Sequence, residues 1–249
     1  MHPLWDIPTR FFHWSLVLCV TLSWWSAEAE RHELHEWMGY TLIVLLVTRL
    51  VWGFVGSVHS RFSDFLTSPN RVLAYLQGQG SPTPGHNPLG GWSVMALLSL
   101  LLLQAVSGLF NSDDVLFSGP LYYAADSDFR DLMGVVHDIT FNALLGLVAL
   151  HVLVVSYHQW VKKDGMISAM LRGSAPGRQG RAAPVAWWKA ALLATVVAGL
   201  LWVGLVQAPQ PPPLWLRSGE LGIGVLLIVA GRASFAGGAG CLGDNLFIT

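Results

Sequence analysis

Five stretches of the chain are apolar for long enough, or nearly long enough, to cross a bilayer: Phe11 to Ala27, Leu34 to Gly56, Trp92 to Phe110, Leu132 to Trp160 and Val185 to Val206. A helix needs about 20 mainly apolar residues to traverse the hydrocarbon core, and it satisfies its own backbone where water is absent. The first stretch is short by this measure, but Pro8 suits a helix start and lengthens it. A weaker run, Leu221 to Ala230, follows Pro211-Pro212-Pro213 and is too short for a sixth span. Residues 56–90 read as a loop, rich in Gly, Pro and Ser after Leu76, with a short interfacial helix at Asn70 to Gln77. The pattern predicts an all-α integral membrane protein. Four closely spaced spans lie within residues 1–172, followed by a linker over 173–184, a fifth transmembrane helix over 185–207 and a short tail over 208–249. No internal repeat is visible. Met1 to Arg10 lacks a positive n-region and no small-residue cleavage site follows, so the first stretch is expected to be a retained span.

Composition agrees with a lipid-facing surface. Of the 249 residues, 53% are hydrophobic and 12% charged, with 12 Trp; soluble domains carry about 25% charged residues. The net charge is −1 and no basic stripe is present, which argues against nucleic acid. Cys19 and Cys241 form neither a disulfide framework nor a metal knuckle. Basic residues set the orientation. Arg10, Arg61, Arg71, Lys162, Lys163, Arg172, Arg178 and Arg181 flank one side of the spans, against Arg31, Arg130 and Arg217 on the other. The loop from Asn111 to Asp131 is acidic, with Asp113, Asp114, Asp126, Asp128 and Asp131. The N-terminus and the basic loops are therefore expected on the cytoplasmic side, with the acidic loop and the tail outside.

Nine histidines are many for such a chain, because ionisable groups within a membrane are costly and usually functional. His2, His59 and His86 fall in tails or loops and His32 in the outward loop, where a solvated imidazole is expected. Four others fall within or at the edge of spans. His13 lies near the inner start of the first, His35 near the outer start of the second, His137 near the outer start of the fourth, and His151 deeper in that same span. His137 and His151 are fourteen residues apart, so on a helix they share a face within roughly 40° and sit about 21 Å apart along the axis. Each depth is met by one further histidine, His35 outside and His13 inside. Two bis-histidine haems require this arrangement, each iron taking a neutral imidazole from either side. Gly39 and Gly134, about one turn from His35 and His137, either clear room for the macrocycle or serve ordinary helix packing. His158 shares the face of His151 but lies one turn from Lys162 and Lys163, about 31 Å from His137 along the axis, which disfavours it. Arg49, fourteen positions after His35, reaches the depth of the inner haem and suits a haem propionate, with snorkelling to the surface as the alternative. Arg10 is a second, weaker candidate for the same role.

The segments IPTRFFHWSLVL, LHEWMGYTLIVLLVTRLVWGFVGS, GHNPLGGWSVMALLSLLLLQAVSGLF and VVHDITFNALLGLVALHVLVVSYH resemble the bacterial cytochrome b561 family. That family is similar to the di-haem cytochrome b subunits of nickel-iron hydrogenases and formate dehydrogenases. The resemblance covers residues 5–172. It implies a four-helix bundle holding two b haems, with His13 and His151 on the inner iron and His35 and His137 on the outer one. It also implies electron exchange between quinone and a partner redox protein, with a quinone pocket near the cytoplasmic haem. The tail departs from members that continue into a periplasmic di-haem cytochrome c. No C-x-x-C-H occurs, and Glu220 to Val225 reads ELGIGV where the first such site would fall.

Three functions follow as expectations. The first is a cytochrome of the bacterial inner membrane that carries electrons from quinol to a separate periplasmic cytochrome c, for which the acidic outer loop is suited. The second is the membrane anchor of a hydrogenase or dehydrogenase, passing electrons to quinone. The third is a transporter with a histidine proton relay, which would need no histidines matched at two depths.

Overall fold

The computed structural model describes residues 2–79, 85–112, 117–174 and 180–209. Residues from 210 onward, with Arg217 and the run Leu221 to Ala230, lie outside the described residues, as do Asp113, Asp114 and Arg178. Residues Met1–Pro209 form one compact unit. It is helical throughout, and among the described residues the only β pairing is two isolated bridges.

Three of the long helices begin at a capping side chain rather than where the apolar run begins. Helix α1 spans Ile7–Glu28, with Pro8 in its first turn and Asp6 as N-cap accepting from Thr9 N–H at 2.8 Å. A three-residue turn, with Glu30 in the left-handed region at φ 53°, reverses the chain into α2, His32–Val55. Two short helices, α3 (Phe62–Phe65) and α4 (Pro69–Leu76), follow a single 3₁₀ turn at Val58–Ser60. Helix α5 (Pro88–Gly108) starts four residues before the expected Trp92, because Asn87 caps it through Gly90 N–H at 2.6 Å. Helix α6 (Ser127–Tyr157) likewise starts at an Asp126 cap rather than at Leu132, and it closes in a π turn over His158–Lys162. Helix α7 is Met166–Arg172 and α8 is Trp187–Val206.

Among the described residues four helices are long and apolar enough to cross a membrane: α2, α5, α6 with its π turn, and α8. The chain is thus a multi-pass membrane protein. The first expected span forms as a helix, but it falls short of the other four in apolarity, since Thr9, Arg10, His13, Ser15, Thr21, Ser23, Ser26 and Glu28 all lie within it. Large apolar side chains point away from the protein along these helices, among them Leu153, Trp160, Leu200 and Trp202. Such a surface suits lipid rather than water.

Helix α2 is the hub. Among the described residues the extensive contacts are α1 on α2, α5 on α6, and α2 on both α5 and α8. The shared core is Leu42, Ile43 and Leu46 of α2 with Leu98, Leu101 and Ala105 of α5, Leu144 of α6 and Cys19 of α1. Helices α1 and α6 make no comparably extensive contact. The successive long helices alternate in direction, so His35 and His137 share one end of the bundle, while His13, Arg49 and His151 lie towards the other.

That second end is closed by a buried polar knot. The Asp6 carboxylate takes Thr9 N–H through Oδ1 and the Trp52 indole N–H through Oδ2 at 3.0 Å. Ser57 also hydrogen-bonds Asp6 and accepts Val185 N–H at 2.9 Å, while the hydroxyls of Thr9 and Ser60 pair at 2.7 Å. The start of α1, the end of α2 and the approach to α8 are thereby joined. Gly173, in the left-handed region at φ 89°, offers its carbonyl to Leu4 and Trp5 N–H at 2.8 and 3.1 Å, which ties the end of α7 to the same knot.

Burial pushes the Asp6 carboxyl up, but hydrogen bonds from Ser57, Thr9 and Trp52 outweigh it and hold the group below its ordinary value of 3.8. A carboxyl depressed in the folded state contributes stability that is complete above its unfolded value and is lost as pH falls through its folded one. Asp6→Ala is therefore expected to lower stability by about 2–4 kcal/mol, from the lost cap and the orphaned Trp52 N–H. The variant should also lose part of the destabilisation that wild type shows below about pH 4. Thermal unfolding in detergent across pH 3–7 checks both expectations.

Candidate functional site

At one end of the bundle the structure brings His35 and His137 together, their ring centres 6.5 Å apart and their planes at 69°. Each ring is oriented by a hydrogen bond on Nδ1. His35 Nδ1–H donates to the Ser23 carbonyl of α1 at 2.9 Å. A carbonyl only accepts, so His35 Nδ1 carries a proton, which leaves Nε2 as the nitrogen available to a metal. His137 Nδ1 lies 3.1 Å from Ser107 Oγ, and the Ser107 hydroxyl donates to the Gln104 carbonyl at 3.0 Å. With that proton so engaged, Ser107 accepts from His137 Nδ1–H. The Gln104 amide nitrogen donates to His137 Nε2 at 2.9 Å, and Thr140 donates to its amide oxygen. His137 thus accepts on Nε2 and donates from Nδ1, the neutral tautomer whose lone pair can bind a metal, and His35 likewise directs its Nδ1–H to the protein and leaves Nε2 as the nitrogen for a metal.

The residues present fit a haem iron at this level. Two metal–nitrogen bonds of about 2 Å, with the inner half of a ring on either side, span roughly 6 Å. Gly39 has open space where a Cβ would project, whereas Gly134 lies 3.5 Å from Asn111 Oδ1 measured at the same point. Gly108 matters for another reason. A Cβ there would stand 3.0 Å from His137 Cε1, a tight contact, so α5 passes close to the imidazole.

At the other level His13 and His151 lie within electrostatic reach of one another. His13 Nδ1 is buried and has no hydrogen-bond partner. Among the described residues no three His, Cys, Asp or Glu side chains converge on a metal position, so the chemistry available at either level is that of an imidazole pair.

Arg49 is buried, not snorkelled. Its guanidinium lies 5.3 Å from the centre of the Phe62 ring, within electrostatic reach of Asp6, and its Nη1 has no hydrogen-bond partner. Arg10 Nη1 donates to the Leu171 carbonyl at 2.8 Å, near the C-terminal end of α7 where a cation is favoured, and its Nε is buried without a partner. His158 Nδ1 is paired with Asp164 at 2.8 Å in the loop after α6.

Three histidines expected to be solvated are wholly or partly covered. His59 is 4% exposed; its Nδ1–H donates to Asp64 at 2.8 Å and its Nε2 accepts Arg181 N–H at 3.2 Å. His86 packs between Trp5 and Phe65, each ring centre 4.7 Å away. His32 is half-buried and stacked on Phe117 at 5.8 Å. In each case loop residues fold back over the end of a helix, which distance along the chain does not show. Gln104, Ser107 and Thr140 were missed by sequence reasoning. The signal was available, since each is a polar residue inside an apolar span, where a hydrogen-bond partner on another helix is the usual solution.

His59→Ala leaves the Arg181 N–H unpaired and removes the partner of Asp64. It should cost about 1–3 kcal/mol of stability while leaving bound haem per chain unchanged, as melting and haem assays on the same preparation will show.

A family model described as prokaryotic cytochrome b561 matches residues 4–173, which takes in α1 to α7 and ends before α8. No curated protein and no solved structure matches the chain.

Proposed function

The chain belongs to the prokaryotic cytochrome b561 family, and from that premise we propose that it passes electrons between membrane quinone and a redox partner outside the membrane through two bis-histidine haems. Family membership makes it a membrane b-type cytochrome of electron transfer; the number of haems, their ligands and the partners are our proposal. The observation that carries it is the imidazole pair His35–His137, 6.5 Å apart with each Nδ1–H held by the protein. His13 and His151 are assigned to the second haem, one helix turn or more from the polar knot. Arg49, with a buried and unpartnered Nη1, is assigned to a propionate there, and Arg10 is a further candidate.

Haem supplies the one-electron chemistry when bound. The protein's part is to hold neutral imidazoles at two depths of an apolar bundle, so that an electron entering near one membrane surface can leave near the other. The excess of Lys and Arg at the His13 end supports a cytoplasmic N-terminus in the bacterial inner membrane. The exposed carboxylates Asp126, Asp128 and Asp131 at the opposite end suit a basic partner such as a c-type cytochrome.

Purified protein should show a b-type reduced-minus-oxidised spectrum and two haems per chain by pyridine haemochrome. His137→Ala or His151→Ala should leave one. Anaerobic addition of a short-chain quinol should reduce the haems of the wild type. Folded protein that binds no haem would sink the proposal, and haems unresponsive to quinol would remove the quinone from it.

A further inference from the structure

We propose that Ser107 is the positioning residue that holds His137 ready for iron, and that Gln104 is a displaceable cap on the nitrogen that iron takes. The inference rests on the proposed axial role of His137 and extends it to two side chains of α5 that divide the imidazole between them. Gln104 and Ser107 are three residues apart and so lie on one face of their helix. Ser107 serves Nδ1 and Gln104 serves Nε2, at 3.1 and 2.9 Å.

The two contacts differ in kind. Ser107 is fully buried, and its hydroxyl is anchored on the carbonyl of its own helix one turn back. The side chain is short, and the ring it holds is closely backed by Gly108, where a Cβ would crowd it at 3.0 Å. This contact sets where the imidazole stands and which nitrogen carries the proton. Gln104 reaches His137 through a long, rotatable side chain. Its other hydrogen bond comes from Thr140, whose hydroxyl also lies 2.8 Å from the Val136 carbonyl and keeps that partner if the amide turns away. A lone pair on neutral imidazole serves one partner at a time, so Gln104 and a metal exclude each other at Nε2.

The two roles predict opposite effects. Without Ser107 the Nδ1–H is buried and unpaired, the imidazole becomes a weaker donor, and the ferric state loses relative stability. Without the Gln104 amide nothing competes for Nε2, and no buried donor on α6 is orphaned. A purely structural part in helix packing predicts that both replacements harm the site alike.

The test uses the full-length protein in detergent with three variants: Ser107→Ala, Gln104→Leu and His137→Ala. Each is measured by redox titration of its haem bands and by the rate and extent of haem transfer to apomyoglobin. In Ser107→Ala, one haem should be held about 10–100-fold less tightly, the range typical for loss of an outer-shell partner. The midpoint potential of that haem should rise, and the other haem should be unchanged. Gln104→Leu should hold the same haem at least as tightly as wild type. The inference is overturned if Ser107→Ala titrates and retains haem as wild type does, or if Gln104→Leu loses the haem as Ser107→Ala does. His137→Ala separates this failure from that of the underlying assignment. Loss of one haem keeps His137 as a ligand even if the two α5 residues prove passive; retention of both removes the ligand and the inference together.

Discussion

A polar atom buried among apolar helices must find its partner within the protein, and in this chain that constraint decides where the imidazole nitrogens point. Water is not at hand to complete a hydrogen bond in the bundle interior, so an unsatisfied N–H or carbonyl costs a few kcal/mol. His35 meets the requirement through the Ser23 carbonyl and His137 through Ser107 and Gln104. Both solutions put the proton on Nδ1. Holding Nδ1–H within the protein leaves Nε2 as the nitrogen that the proposed ligation uses, at His137 once the Gln104 amide turns away.

The opposite end is governed by the same rule but closed differently. Asp6 collects N–H groups from the start of α1 and from Trp52 near the end of α2, while Ser57 extends the network to Val185 at the approach to α8. One buried carboxylate thus sets the relative height of helices distant in sequence. That height matters because His13 is seven residues beyond Asp6 and Arg49 is three before Trp52. Any slip at the knot would move both relative to His151.

Packing leaves the room that the polar contacts arrange. Helix α2 carries the dry contacts to α1, α5 and α8, and α5 carries those to α6. Helices α1 and α6, which bear His13 and His151, are held by their neighbours rather than by each other, and Gly39 opens space one turn from His35. A bundle packed on all sides would hold a more continuous core, but it would have no space in which paired imidazoles could share a ligand.

Much of this was legible in the chain. Five apolar stretches became five long helices because the need to satisfy a backbone without water leaves few alternatives, and the four intraspan histidines sorted into two depths because helical rise and twist are fixed. The short helix at residues 69–76 was placed to within one residue. Helix starts were less legible, since Asn87 and Asp126 begin α5 and α6 ahead of the apolar runs, and a cap is a local hydrogen bond rather than a hydrophobic signal. The partners of the histidines were not assignable, although polar residues inside apolar spans, such as Gln104 and Ser107, marked candidates. Whether His59 meets water or Asp64, or whether His137 meets Gln104 and Ser107, depends on which faces of separate helices are turned together. Sequence by itself determined the long helices, the spacing of the histidines along them and the family, because periodicity and hydropathy are properties of a single segment. The tertiary structure alone decided the tautomers, the buried state of Arg49 and the polar knot at Asp6, because a hydrogen bond between helices exists only once both are in place.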